Sequence, residues 1–192
     1  MLHFIIAVPG WTNRCPGKPG AAHAELHEHC CAATERIEDL ERRIVAHARQ
    51  DDAARRLATI PGIGPITASL LAATVGDTIG AFPSARHFAA WLGLVPRQHS
   101  SGGKTHLGRI TKAGNRQIRT LLVLGATSMV YRAEQWRSAA GAWVRGLLER
   151  RSVRHVTVAL ANKMARIAWA VMARKEVYCA RGGVTSAAAA TA

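Results

Sequence analysis

Leu26, Cys30, Ala33, Ile37, Leu40 and Ile44 recur along the chain at spacings of 4, 3, 4, 3 and 4 residues. This spacing keeps the six side chains on one stripe of an α-helix, because residues three and four apart share a face. A strand, which alternates every second residue, cannot hold them together. Glu35, Arg36, Glu38, Asp39, Glu41, Arg42 and Arg43 surround the stripe with both signs of charge. Residues 21–57 are therefore expected as a coiled-coil-like helix. Its seam either packs along the rest of its own domain or joins a second copy through residues 26–44.

Beyond this helix the apolar residues keep helical periods. Asn115 is placed to cap a long helix carrying Ile118, Leu121, Leu122, Leu124, Gly125 and Met129. Val156, Leu160, Met164, Ile167 and Val171 mark one face of another, with Arg154, Lys163, Arg166 and Arg174 on the solvated side. No stretch alternates convincingly with period two. The expected fold is all-α: the heptad helix, then a compact helical domain over residues 58–179. Pro9-Gly10 and Pro16 to Gly20 are loop chemistry, so residues 1–20 are expected as an unstructured leader. The Ala- and Thr-rich residues 180–192 are expected as a disordered tail.

The apolar stretch Met1–Val8 is too short to span a membrane and lacks a cationic flank. Cys15, Cys30, Cys31 and Cys179 show no disulfide spacing. A cytoplasmic protein with no membrane partner is the expectation.

Leu57-Ala-Thr-Ile60-Pro61-Gly62-Ile63-Gly64-Pro65 separates two helical stretches. An apolar Pro-Gly-Ile-Gly turn in that position resembles a helix-hairpin-helix. There the glycines, Gly62 and Gly64 here, leave backbone N–H groups free to hold a phosphate oxygen at a helix start. Such a contact positions nucleic acid without reading its sequence. The plainer reading is a tight helix–helix turn with no ligand.

Charge favours the first reading. Lys and Arg number 26 against 12 Asp and Glu, a net charge of +14. From Arg97 to Lys175 there are sixteen basic residues, and the acids are Glu134 and Glu149 alone. A body so one-sided suits a polyanion such as DNA. The densest part runs Pro96-Arg-Gln-His-Ser100-Ser101-Gly-Gly-Lys104, then Gly108-Arg109-Ile-Thr-Lys112-Ala-Gly114-Asn115-Arg116 and Arg119. It places a hydroxyl in a glycine-rich loop among cations, and contains no Asp or Glu between Arg97 and Arg119. Candidate nucleic-acid contacts are Gly62, Gly64, Lys104, Arg109, Lys112, Asn115, Arg116 and Arg119.

Three other chemistries fail on spacing. Gly103-Lys104-Thr105 resembles the end of a P-loop, but Gln98 stands where the first glycine is required. Ser101-Gly-Gly-Lys104 matches Ser-x-x-Lys, which needs one helical turn that two glycines disfavour. His23 and His27 share a helix face, yet no second ligand pair follows at zinc-site spacing, so no metal site is assigned.

Leu92-Gly-Leu-Val-Pro96, then Ser101-Gly102, then Gly108-Arg-Ile-Thr-Lys112-x-Gly114-Asn115 and Arg119-x-Leu-Leu together resemble the C-terminal half of insertion-sequence transposases. The class is the IS-one-ten / IS-one-sixteen recombinases, directed by a bridge RNA. The Pro-Gly-Ile-Gly turn and the heptad helix precede these motifs in the family's order, so the resemblance spans about residues 24–178. It implies a nucleophilic serine at Ser101, with Ser100 as rival, and DNA and guide RNA as partners. It also implies an N-terminal RuvC-like domain whose four carboxylates bind Mg2+. Residues 1–23 contain no Asp or Glu, so the expectation is a truncated copy with no cofactor of its own. Two functions stay open: a catalytic half that is inactive alone, and a passive DNA- or RNA-binding module.

Overall fold

The computed structural model describes residues 21–99, 107–179 and 183–185. The chain divides into two units, residues 1–42 and 43–192. The leader expected over residues 1–20 lies outside the described residues, as do 180–182 and 186–192 of the tail.

The expected helix over 21–57 is two helices, α1 (Ala21–Gln50) and α2 (Asp52–Leu57). Asp51 causes the break. Its carboxylate accepts from the backbone N–H of Ala53 at 2.9 Å and of Ala54 at 3.3 Å, starting a new helix where the old one ends. In the first unit the seam residues Leu26, Ile37 and Leu40 are exposed.

In the second unit, helices α3 to α6 each start where a side chain or a proline stands in for the missing intrahelical bond. Helix α3 (Pro65–Val75) follows the extended Gly64, with proline at its first position. Ser84, Asn115 and Ser138 cap α4 (Ala85–Trp91), α5 (Arg116–Tyr131) and α6 (Ala139–Leu148), each accepting a backbone N–H from three residues on. The Asn115 cap agrees with the sequence reading. The last helix is α7 (Val153–Arg174).

Two short strand pairs depart from an all-helical expectation. Strands β1 (Pro96–Gln98) and β2 (Leu107–Ile110) are antiparallel, as are β3 (Val177–Cys179) and β4 (Gly183–Thr185). Three or four residues are too few for alternation to show in the sequence. β4 falls within the tail expected to be disordered. Its partner strand is fixed where the Tyr178 N–H donates to Thr59 Oγ1 at 3.0 Å.

Helix α7 centres the second unit. It packs against α2, α4, α5 and α6 and buries Val156, Leu160, Met164 and Val171, the face read from the sequence. Facing them are Leu57, Ile60, Leu71, Phe88, Leu92, Leu94, Ile118 and Leu122, all essentially fully buried. Each such side chain contributes about 1.5–3 kcal/mol on leaving water. By length and composition α7 could cross a membrane, but half of its apolar window is buried within the protein. That is the pattern of a core helix.

Candidate nucleic-acid interface

The site begins where α4 ends. Gly93 turns left-handed at φ +72°, its N–H donating to the Ala90 carbonyl at 2.9 Å, while the Leu94 N–H reaches Ala89 at 3.1 Å. This paired closure satisfies two of the helix's last carbonyls and redirects the chain into β1. Strand β1 then pairs with β2 through Pro96 opposite Ile110 and Gln98 opposite Leu107. The pairing extends past the strands: Thr111 N–H donates to Val95 at 2.9 Å and Lys112 N–H to Gly93 at 3.1 Å.

The chain next crosses over the end of α4. A Cβ on Gly93 would strike the Ala113 carbonyl, and one on Gly114 would strike the carbonyl of Trp91. Two backbones touch here because no side chain stands between them. Arg119, one turn into α5, donates from Nη1 to the Leu92 carbonyl at 3.1 Å, and Asn115 Oδ1 accepts the Ile118 N–H at 3.1 Å. The two motif stretches around Leu92–Pro96 and Gly108–Arg119 are thus one interlocked piece.

The structure places five of the expected site residues on this side of the fold. Arg109 and Lys112 are exposed, Lys112 with a left-handed backbone at φ +56°. Arg116 is exposed at a recess of about 810 Å3 that α3 and α5 share, lined also by Ile66, Leu70 and Leu121. Asn115 and Arg119 are half-buried and hold the structure, as just described. Ser100, Ser101 and Lys104 lie outside the described residues. The strand register makes Gln98 and Leu107, which precede and follow them in the chain, direct neighbours.

Gly62 and Gly64 play different parts. Gly62 adopts φ +85° and lies against Met129 on α5 and Met164 on α7. A Cβ at Gly125 would in turn strike the Gly62 carbonyl. Close packing therefore requires glycine at both positions. Gly64 is exposed with open space where its Cβ would stand, and no side chain caps the N-terminus of α3 that it precedes. Of the two, only Gly64 stands beside free room for a ligand.

Sequence reasoning missed Arg97, whose Nη2 donates to the Thr111 carbonyl at 3.3 Å and braces the strand pair. It also left Trp91 without a role. Trp91 stacks on Phe88 at 5.9 Å and tilts against Phe82 at 5.4 Å, an aromatic cluster behind the end of α4. The three-residue separation of Phe88 and Trp91 was the available signal.

Electrostatically the site is open. Among the described residues the ion pairs are Arg42–Asp39 and Arg55–Asp52, both before the site and both exposed. No three His, Cys, Asp or Glu side chains come together among the described residues. The described part offers positive charge without a metal-ligand set.

Comparison with known proteins gives the same reading of these motifs. Residues 54–141 match the Transposase IS116/IS110/IS902 family. A Pseudomonas aeruginosa protein named "Probable family 20 transposase" is 47% identical over 163 residues, covering 85% of this chain and 48% of the relative. The transposase for insertion sequence element IS1328 of Yersinia enterocolitica is 46% identical over 153 residues, 80% of this chain and 46% of the relative. The transposase for insertion sequence element IS1111A of Coxiella burnetii is 42% identical over 144 residues, 75% and 39% respectively. The chain thus spans about half the length of these curated relatives or less. With the interlocked motif stretches lying largely inside the matched region, the chain belongs to the IS116/IS110/IS902 family of transposases.

Proposed function

We propose that this chain is the helical, nucleic-acid-binding and nucleophile-bearing half of an insertion-sequence transposase, acting in DNA transposition. The observation that carries the reading is the family match over residues 54–141, which takes in both the Pro-Gly-Ile-Gly turn and the Pro96-x4-Ser101 stretch. The partners on this reading are DNA and a guide RNA, with a second copy joined through residues 26–44.

In the proposed step Ser101 Oγ forms a bond to phosphorus and the phosphorus–oxygen bond to a deoxyribose breaks. The serine proton passes to a base and the departing oxygen takes up a proton, leaving DNA covalently on the protein. Lys104, Arg109 and Lys112 neutralise charge on the phosphoryl oxygens. No carboxylate lies between Arg97 and Arg119 to accept the proton. The described residues do not fit a divalent cation, and no step is routed through one. The metal-binding carboxylates that the family resemblance implies would belong to a RuvC-like domain.

The test mixes the chain with a RuvC-like domain from a full-length relative and a plasmid substrate. The expected result is a protein–DNA adduct that mass spectrometry maps to Ser101 and that Ser101→Ala abolishes. An adduct on Ser100 moves the assignment by one residue, and an adduct elsewhere ends it.

A second reading, a passive binding module, draws on Asn115 and Arg119 serving the fold rather than facing a ligand. On that reading Ser101→Ala changes nothing and no adduct forms.

A further inference from the structure

Helices α4 and α7 enclose a second recess, of about 350 Å3, lined by Arg86, His87, Ala90, Val95, Asn162 and Arg166. None of the contacts assigned above lies in it. We propose that this recess binds a phosphodiester of a nucleic-acid backbone, as a contact separate from Arg109, Lys112 and Arg116. The proposal rests on the reading of the chain as a nucleic-acid binder.

The charge is unbalanced by construction. Arg86 comes from the first turn of α4 and Arg166 from the middle of α7, and neither helix contains an Asp or a Glu. Among the described residues no hydrogen bond or ion pair engages either guanidinium. Two cations brought to one concavity without a counter-charge repel each other until an anion arrives. A guanidinium presents paired N–H donors matched to two phosphate oxygens, so a phosphodiester suits these groups better than a single-point anion.

The recess is also rigidly built. Asn162 Nδ2 donates to the Leu94 carbonyl at 3.1 Å, tying α7 to the segment entering β1. That bond uses one of the two Nδ2 hydrogens and leaves the second as a donor. His87 Nδ1 is engaged with Ser84 Oγ at 2.8 Å, which fixes the ring and leaves Nε2 as its remaining polar atom. Ala89, Ala90 and Val95 form a low floor with no bulky side chain to fill the space. Val95 immediately precedes β1, so the recess opens at the base of the same strand pair that flanks Ser100 and Ser101. A backbone held here would be anchored on the fold's own rigid helices, next to the start of β1, with no sequence preference.

The experiment measures affinity of the full chain for a fluorescent duplex DNA and for a fluorescent RNA hairpin across a salt series. Arg86→Gln and Arg166→Gln should each lower the salt slope by about 1, the loss of one phosphate contact. Arg166→Glu should weaken binding further, and Arg166→Lys should restore most of the slope. Arg174→Gln removes the same charge from the same helix outside the recess and should leave the slope unaltered. Arg86 and Arg166 are exposed, so these variants should melt as the parent does. The probe whose slope responds identifies the source of the phosphate, DNA or RNA. Unchanged slopes for both recess variants, with a reduced slope for Lys112→Gln, would overturn this inference and leave the broader reading standing. An equal drop for Arg174→Gln would also overturn it, since diffuse charge would then explain the effect. If the unmodified chain shows no salt-dependent binding to either probe, the broader reading falls with it.

Discussion

Arg119 donates a hydrogen bond to the carbonyl oxygen of Leu92 at 3.1 Å across 27 residues of sequence, joining the first turn of α5 to the end of α4. The donor is charged and the pair is part-buried, so the bond belongs to the stronger class. Arg119→Ala should lower stability by about 1.5–3 kcal/mol in a urea titration. Loss of nucleic-acid binding with no loss of stability would mean that Arg119 serves the ligand instead.

Gly125→Ala should be disruptive, since the new methyl group would strike the Gly62 carbonyl. The expected cost is about 1–3 kcal/mol, as for other overpacked sites. Gly64→Ala has open space and a negative φ, and should change stability by less than about 1 kcal/mol. Its effect belongs in the binding assay. Equal stability losses at the two positions would contradict the packing described for Gly62 and Gly125.

Lys112 and Lys175 both hold left-handed backbones, at φ +56° and +55°. Glycine reaches that region without the Cβ penalty, so each replacement by glycine should raise stability by about 0.5–1 kcal/mol in thermal melts. Lys112→Gly should at the same time lower the salt slope for DNA by about 1. Stability and affinity should therefore move in opposite directions at Lys112.

Ile37 is 57% exposed and Leu40 45% exposed on α1. If these residues join a second copy, Ile37→Asp with Leu40→Asp should abolish self-association in sedimentation, because a buried carboxylate without a partner is strongly disfavoured. A monomer already in the unmodified chain would remove the seam from the list of interfaces.

Much of the helical framework could be read from the sequence because it depends on neighbours. The Asn115 cap and the buried stripe of α7 follow from residues three and four apart. The turn between α2 and α3 was legible for the same reason, through Pro61, Gly62 and Pro65. What escaped depends on distant backbone. The function of Gly62 is set by Gly125, and that of Arg119 by a carbonyl on another helix. Neither partner announces itself, since a carbonyl group is the same at every residue. The break at Asp51 was available in principle, but Asp also appears on solvated helix faces, and Asp39 does so twelve residues earlier.

The crossing of Gly93 over Ala113, and of Gly114 under Trp91, bears on how mutational data from such proteins are interpreted. In a saturation screen scored by transposition, every substitution at these two positions should fail as completely as loss of the nucleophile proposed at Ser101. A map of intolerance would then place Gly93 and Gly114 among the reacting groups, although neither has an atom that could react. Scoring the same library by protein abundance separates the classes. Variants of the glycines should disappear from the cell, whereas Ser101→Ala should accumulate as an intact, silent protein.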